Sequence, residues 1–233
     1  SIQLCWAPGK AAYIMFRNEE GLWVWDEDES LVYSMVGTFL NKGYKFIAHN
    51  ACADFVWMES HLGVDTHGKC LFDTMYAEFL LDEYSDLKLE RLSVKYTDLG
   101  RYDTELFLVK KKLNVKSNEG YERIPDDILI PYACKDVDVV IRAYPILMQK
   151  LYEASLQDYY YDINLPYVTD SFKVMSMTGV PINRSYLDVM RSVFTNNETL
   201  LLVELRMEIK QEATLSLGQK LYERFGIAGT SLL

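Results

Sequence analysis

The spacing of hydrophobic and polar residues in the first quarter of the chain predicts alternating strands and helices. Two apolar runs, residues 2–7 and 11–16, flank the turn Pro8-Gly9-Lys10 and indicate a β-hairpin. From about residue 29 to residue 41, apolar residues recur every three or four positions, which predicts an amphipathic helix. The short apolar run 45–48 then predicts a strand. This order of strand, helix and strand is typical of an α/β layer.

The next segments continue the α/β pattern and then become mainly helical. A helix is expected from about Ala51 to Gly63, followed by a buried strand at residues 70–72 and by Asp73 as the N-cap of another helix. Further helices are predicted at residues 74–81, 87–96 and 126–153.

Two features of this helical part have a specific local prediction. Pro131 and Pro145 are expected to bend or interrupt the helix at 126–153, because proline cannot donate a helical hydrogen bond. The stretch 110–123 is polar and contains Gly120, and it is interpreted as a mobile loop. A strand-guiding lip is the functional alternative for this loop.

The pattern after residue 153 is helical throughout. Helices are predicted at residues 165–177, 184–210 and 216–225, and the sequence Thr178-Gly179-Val180-Pro181 predicts a sharp turn. We therefore expect an α/β domain at residues 1–153 and an all-helical segment at residues 154–233.

Charge and hydropathy narrow the classes of function. The 233 residues include 24 Lys and Arg against 34 Asp and Glu, a formal net charge of −10. That balance argues against a protein that coats duplex DNA through phosphate charge alone, so nucleic-acid contacts are expected to be local or bridged by metal. Neither a signal-peptide pattern nor a membrane-spanning apolar run is present, which favours an intracellular, cytoplasmic protein without a membrane partner. The cytoplasm would be that of the host if the protein is viral, and an organelle is the alternative location.

The four cysteines are widely spaced and form no CxxC motif, which favours reduced thiols. Cys52, His61, His67 and Cys70 are the one set that hints at zinc. Their spacing matches no common zinc motif, so core or surface positions are the preferred interpretation.

Two pairs of polar residues are candidates for chemistry. Asn50 and Asp54 lie at a predicted strand-to-helix junction, and Tyr132 and Asp136 lie four positions apart on the predicted helix 126–153. Side chains four positions apart share a helix face. Ligand sites in α/β folds lie at the carboxyl ends of strands, which supports the first pair. Each pair alone also fits plain solvated residues, and Asn50 also fits a helix cap.

Taken in order, these segments resemble a known enzyme family. Residues 45–55, the block Phe72-Asp73-Thr74-Met75 and residues 132–138 resemble the DEDD-type 3′-5′ exonucleases of the ribonuclease-H-like fold, in the subclass with a tyrosine in the third motif. Asn50 to Asp54 is similar to the second motif and Tyr132 to Asp136 to the third. Residues 165–168, 177–183 and 217–227 resemble the opening of the polymerase region in family A DNA polymerases.

The resemblance implies a fold, a function and roles for individual residues. It implies a ribonuclease-H-like mixed sheet flanked by helices, and a proofreading exonuclease that hydrolyses the 3′-terminal phosphodiester of single-stranded DNA. It also implies that Asp54 and Asp136 hold two Mg²⁺ or Mn²⁺ ions and that Tyr132 orients the attacking water. Asn50 would contact the 3′-terminal nucleotide or fix the helix start. A polymerase domain is expected on the C-terminal side.

The sequence departs from the family pattern at four points. The first motif, Asp-x-Glu on a strand before the hairpin, is missing, and Ala53 replaces the aromatic residue that commonly precedes the second-motif aspartate. The segment 211–216 is shorter than the corresponding segment of the family, and no palm or fingers motif follows Leu233. We therefore expect an interior piece of a longer protein that is nearly inactive alone and active with Mn²⁺ once Asp-x-Glu is restored.

Three other interpretations stay open at this point. A stand-alone exoribonuclease of the same superfamily shares the motifs, although the polymerase-like segments argue against it. A catalytically inactive exonuclease fold that serves as a scaffold or DNA-binding module fits the missing motif. An α/β domain whose acidic residues only form a solvated face is the simplest alternative.

Overall fold

The computed structural model describes residues 1–18, 20–115 and 121–213 of the chain. It divides into two compact units, Ser1–Gly179 and Val180–Leu233. All candidate site residues belong to the first unit, which combines strands and helices. The predicted α/β class is therefore confirmed.

The chain begins with the predicted hairpin. Strands β1 (Ile2–Ala7) and β2 (Lys10–Ile14) pair antiparallel. Gly9 has a φ of 73° in the turn, a conformation that glycine adopts without steric cost. Its backbone N–H donates a 2.8 Å hydrogen bond to the carboxylate of Asp138, which ties the turn to a later helix.

The next four elements also follow the prediction. Helix α1 spans Glu29–Leu40, strand β3 spans Phe46–Ala48, helix α2 spans Ala51–Leu62 and strand β4 spans Cys70–Asp73. Strands β3 and β4 are parallel, and α2 connects them. This βαβ arrangement brings the ends of β3 and β4 together beside the start of α2.

The expected single mixed sheet is not present among the described residues. They form two separate two-stranded sheets, β1-β2 and β3-β4, because no described strand pairs with both β1 and β3. Helix α6 (Asp126–Glu153) contacts β1, β2 and β3, so one long helix lies against both sheets.

The helical middle of the chain contains two differences from the prediction. Helices α3 (Thr74–Leu81) and α4 (Leu89–Tyr96) were expected, whereas α5 (Thr104–Lys112) extends into the predicted loop 110–123. A 3₁₀ turn, Tyr121–Arg123, occupies the end of that stretch. The loop prediction is therefore wrong for residues 110–112, which are helical, whereas residues 113–115 and the short 3₁₀ turn fit a loop. Residues 116–120 lie outside the described ranges.

Helix α6 contains both prolines and neither interrupts it. Ala143, Leu147 and Leu151 recur every four positions on this helix and are fully buried in the main core. Tertiary packing along that face stabilises the helix against the local cost of Pro131 and Pro145. The predicted interruption is therefore wrong, and the predicted bend stays a prediction.

The helical segment after α6 packs on the same core. It consists of α7 (Gln157–Tyr159), two π-helical turns (Tyr160–Asn164 and Tyr167–Phe172) and α8 (Lys173–Thr178). The helix predicted at residues 165–177 is thus confirmed with partly π-helical geometry. These turns contact α2 and α3, and the buried Lys173 ammonium donates a 2.6 Å hydrogen bond to Glu59 of α2. The domain boundary at residue 153 stays a prediction.

The second unit contains α9 (Arg184–Ala213), which confirms the helix predicted at residues 184–210. The helix predicted at residues 216–225 and the polymerase-like segment 217–227 lie outside the described residues. None of the helices in the described ranges has the length and hydropathy that a membrane span requires.

Candidate functional site

The first candidate pair lies at the N-terminal end of α2. The helix begins at Ala51, so Asn50 is the N-cap residue and Asp54 lies in the first turn. Asn50 has a left-handed backbone with φ of 68°, and its side chain makes no capping hydrogen bond. The simple interpretation of Asn50 as a side-chain cap is therefore wrong, and its predicted contact with a nucleotide stays a prediction.

Asp73 performs the capping instead, and it caps two helices. Its carboxylate accepts hydrogen bonds from the backbone N–H groups of Asn50 at 3.1 Å and Ala51 at 2.6 Å, at the start of α2. It also accepts from Met75 at 2.9 Å and Tyr76 at 3.3 Å, at the start of α3. The predicted N-cap role of Asp73 is confirmed, and the residue also joins the two helices.

Asp54 is an exposed residue in the first turn of α2. Desolvation, together with the negative charge of Asp73, raises the pKa of Asp54 to about 6 from the usual 3.8. A carboxylate next to another carboxylate is an environment that favours a bound proton or a metal ion.

The second candidate pair lies on α6, where the structure brings Tyr132 and Asp136 together. A third side chain, Tyr102, meets them from the loop before α5, and its hydroxyl donates a short hydrogen bond to Oδ1 of Asp136. The rings of Tyr102 and Tyr132 stack with their centroids 5.6 Å apart and an interplanar angle of 30°. Burial, and then the Asp136 charge, raises the pKa of both tyrosines, so both hydroxyls stay protonated and can donate.

Asp136 itself is partly buried and lies in a negative environment. Burial, and then the charges of Glu90 and Asp103, raises its pKa to about 7, although the hydroxyls of Tyr102 and Tyr132 act in the opposite direction. One carboxylate oxygen of Asp103 is buried and accepts no hydrogen bond from the described residues. The carboxylate of Asp136 is therefore well oriented but poorly neutralised.

Different charged groups act on the two pairs in the described part of the chain. Among the described residues, the negative charge of Asp73 raises the pKa of Asp54, whereas the charges of Glu90 and Asp103 raise that of Asp136. Among the described residues, no group of three Asp, Glu, His or Cys side chains is arranged to hold a metal ion. The four cysteines are free thiols, and the zinc hint is thus not supported there.

The sequence pattern missed the residues that support the two pairs. Tyr102 is 34 positions from Asp136, and Asp73 is 22 positions from Ala51, so neither contact follows from local spacing. The charges of Glu90 in α4 and Asp103 at the start of α5 also raise the pKa of Asp136, and this effect does not follow from local spacing either. The only sequence signal was the N-cap pattern at Asp73.

Comparison with known proteins identifies similar sequences. A family profile described as 3′-5′ exonuclease matches residues 2–152. The DNA polymerase of Escherichia phage T5 is 32% identical over 199 residues, which cover 79% of this chain and 23% of the relative. The DNA polymerase of Bacillus phage SP01 is 31% identical over 152 residues, 63% of this chain and 16% of the relative.

A bacterial protein is also similar. DNA polymerase I of Borreliella burgdorferi is 26% identical over 120 residues, which cover 50% of this chain and 12% of the relative. The chain thus spans less than a quarter of the length of each of these relatives.

Proposed function

Because the chain belongs to the 3′-5′ exonuclease family of family A DNA polymerases, we propose that it is the proofreading exonuclease part of such a polymerase. Its reaction is hydrolysis of the 3′-terminal phosphodiester of single-stranded DNA. The polymerase domain follows on the C-terminal side, and the enzyme acts inside the cell, where DNA is copied.

The observation that carries this proposal is the arrangement around Asp136. A carboxylate with a pKa of about 7 is oriented by a tyrosine hydroxyl and lies four residues after a second tyrosine on the same helix. Hard oxygen ligands of this kind suit Mg²⁺ and Mn²⁺. The raised pKa values of Asp136 and Asp54 fit a site whose negative charge a divalent cation would neutralise.

Asp54 and Asp136 would hold the two ions, with water and substrate oxygens as further ligands. Mg²⁺ commonly takes only one or two carboxylates from a protein, so two aspartates are enough for weak metal binding. When bound, such ions stabilise the charge that develops on a phosphodiester during hydrolysis.

The other residues act on the substrate and on water. The Tyr132 hydroxyl, which stays protonated, orients the attacking water beside Asp136. The Asn50 side chain makes no helix-capping bond, and its amide would contact the 3′-terminal nucleotide. Asp73 fixes the start of α2 and thereby the position of Asp54.

The separation of the two sheets is consistent with an additional strand that carries the Asp-x-Glu motif. Strands β1 and β3 belong to different two-stranded sheets, and helix α6 contacts both. An added strand that pairs with β1 and β3 would join the sheets into one ribonuclease-H-like mixed sheet. It would also bring two more carboxylates to the site.

The test is an exonuclease assay on 5′-labelled single-stranded DNA with Mn²⁺, Mg²⁺ or EDTA. The chain of residues 1–233 is expected to be nearly inactive, and the same chain preceded by a strand with Asp-x-Glu is expected to shorten DNA from its 3′ end. Asp136→Ala and Asp54→Ala should abolish this activity, and Tyr132→Phe should lower it about 100-fold.

Asp127→Ala is the matched control, because Asp127 is an exposed aspartate on the same helix as Asp136. An extended Asp136→Ala protein that degrades DNA as fast as the unmodified one would show that the assignment is wrong. Degradation of RNA in preference to DNA would identify an exoribonuclease instead. DNA binding without degradation by the extended chain would identify a scaffold.

A further inference from the structure

Tyr102 is a buried tyrosine whose hydroxyl contacts the carboxylate of Asp136. It is 8% exposed, and it lies in the loop between α4 and α5, outside both candidate motifs. Its O–H donates to Oδ1 of Asp136, and its ring stacks on the ring of Tyr132. One side chain therefore contacts both members of the pair on α6.

The Tyr102 contact combines a hydrogen bond to a carboxylate with a ring stack on a neighbouring tyrosine. A buried tyrosine needs a partner for its hydroxyl, and a backbone carbonyl would be sufficient for that purpose. Here the partner is a carboxylate, and a hydrogen bond to an ionised acceptor is stronger and more directional than one to a neutral group. The ring stack also restricts the tyrosine to one orientation, so the donor has a fixed position relative to α6.

A fixed donor on one carboxylate oxygen has a consequence for metal binding. A free aspartate side chain rotates among several orientations, whereas a carboxylate held by a rigid donor presents the same face at all times. Hydrogen bonds to metal-ligating carboxylates from outside the ligand set therefore support metal affinity.

We propose that Tyr102 is a positioning residue of the exonuclease site, whose hydroxyl holds the Asp136 carboxylate in the orientation that binds a divalent cation and whose ring holds Tyr132 beside it. This inference rests on the proposed function, since it assumes that Asp136 is a metal ligand. Tyr102 contacts neither water nor substrate in this role and acts through Asp136 and Tyr132.

Tyr102→Phe tests the proposal, because it removes one hydroxyl and keeps the stacked ring. Binding of Mn²⁺ to the chain of residues 1–233, measured by calorimetry or by electron paramagnetic resonance, is expected to weaken about 10-fold. In the chain extended by Asp-x-Glu, the Mn²⁺ concentration for half-maximal activity should rise by a similar factor. The KM for DNA should stay unchanged.

Tyr96→Phe is the matched control. The Tyr96 hydroxyl donates a 2.6 Å hydrogen bond to Glu78, a buried carboxylate outside the candidate site. Both substitutions remove a tyrosine–carboxylate hydrogen bond, so both lower the melting temperature. Only Tyr102→Phe is expected to change Mn²⁺ binding.

The outcomes distinguish failure of the positioning role of Tyr102 from failure of the proposed function. If Tyr102→Phe binds Mn²⁺ like the unmodified chain while Asp136→Ala does not bind it, the positioning role is wrong and the proposed function stands. Equal weakening by Tyr102→Phe and Tyr96→Phe overturns the positioning role as well, because loss of stability then explains both. If Asp136→Ala leaves both Mn²⁺ binding and DNA degradation intact, the proposed function itself fails.

Discussion

The carboxylate of Asp73 accepts a 2.6 Å hydrogen bond from the backbone N–H of Ala51, the first residue of α2. The same carboxylate accepts from the first turn of α3, so one fully buried side chain satisfies N–H groups at two helix ends. Unpaired N–H groups at a buried helix end are costly. Burial raises the pKa of Asp73, and the N–H groups of Ala51 and Asn50 oppose that shift.

Asp73→Ala is therefore expected to lower the free energy of unfolding by about 2–4 kcal/mol, more than loss of a single cap. Asp73→Asn should cost less, because the amide oxygen still accepts. Urea unfolding measures both values. Asp28→Ala is the control, since Asp28 is an exposed cap of α1 alone and its loss should have a smaller effect. An equal effect of the two alanine variants would contradict the joint role of Asp73.

The elements that the sequence predicted correctly depend on contacts within one helix or one hairpin. The periodic apolar residues of α1 and the turn at Pro8-Gly9 are visible in a short window. Helix α5 was missed because its buried face alternates Leu106 with Lys110, and a lysine in that position hides the apolar pattern.

In the candidate site, too, contacts within one helix could be predicted from the sequence and contacts between elements could not. The spacing of Tyr132 and Asp136 on one helix face could be predicted, because it depends only on helical geometry. The Tyr102 hydroxyl and the Asp73 carboxylate reach their partners through tertiary packing, and no local spacing encodes such contacts. Asp73 also shows that an N-cap pattern predicts the helix that follows it, here α3, and gives no indication that the same carboxylate caps α2.

The pKa of Asp136 predicts a specific dependence of stability on pH. Its folded-state value of about 7 lies above the usual 3.8, so the folded protein keeps a proton that the unfolded chain has released. The contribution of Asp136 to the free energy of unfolding is largest below about pH 4, and it decreases as the pH rises to about 7. Asparagine cannot ionise, so Asp136→Asn should gain stability relative to the unmodified chain across this window.

Urea unfolding in EDTA at several pH values between 4 and 8 measures this difference. Asp158→Asn, at an exposed aspartate of α7, is the control and should follow the pH profile of the unmodified chain. Parallel profiles for the unmodified chain and Asp136→Asn would show that the Asp136 carboxylate is not perturbed.

Close contact between α1 and α2 predicts an unusual effect of alanine at Gly37. A Cβ atom on Gly37 would lie 2.0 Å from the carbonyl oxygen of Leu62, the last residue of α2. In an exposed helix, Gly→Ala stabilises by about 1 kcal/mol. Here we expect Gly37→Ala to lower the free energy of unfolding by about 1–3 kcal/mol, because the helices must separate.

Thr38→Ala provides the comparison, since the neighbouring Thr38 side chain of α1 is exposed. Thermal and urea unfolding should show little change or a slight gain for this variant. A gain in stability from Gly37→Ala would contradict the close approach of the two helices.

The packing of Tyr160 makes the domain boundary at residue 153 testable. Tyr160 is fully buried, and its ring packs against Phe72. The Tyr160 hydroxyl accepts a 2.7 Å hydrogen bond from the backbone N–H of Asp73 and donates a 3.0 Å hydrogen bond to the backbone carbonyl oxygen of Asp73. A chain that ends at residue 153 loses this side chain and exposes part of the core. We expect residues 1–153 to unfold at a clearly lower urea concentration than residues 1–179.

Tyr160→Phe in the chain of residues 1–179 separates the hydrogen bonds from the ring packing. It should cost about 1–2 kcal/mol, because the buried N–H of Asp73 loses its partner. Tyr159→Phe, at an exposed neighbour, should have almost no effect. If residues 1–153 instead unfold at the same urea concentration as residues 1–179, the boundary at residue 153 holds and the segment after it adds nothing to the stability of the α/β part.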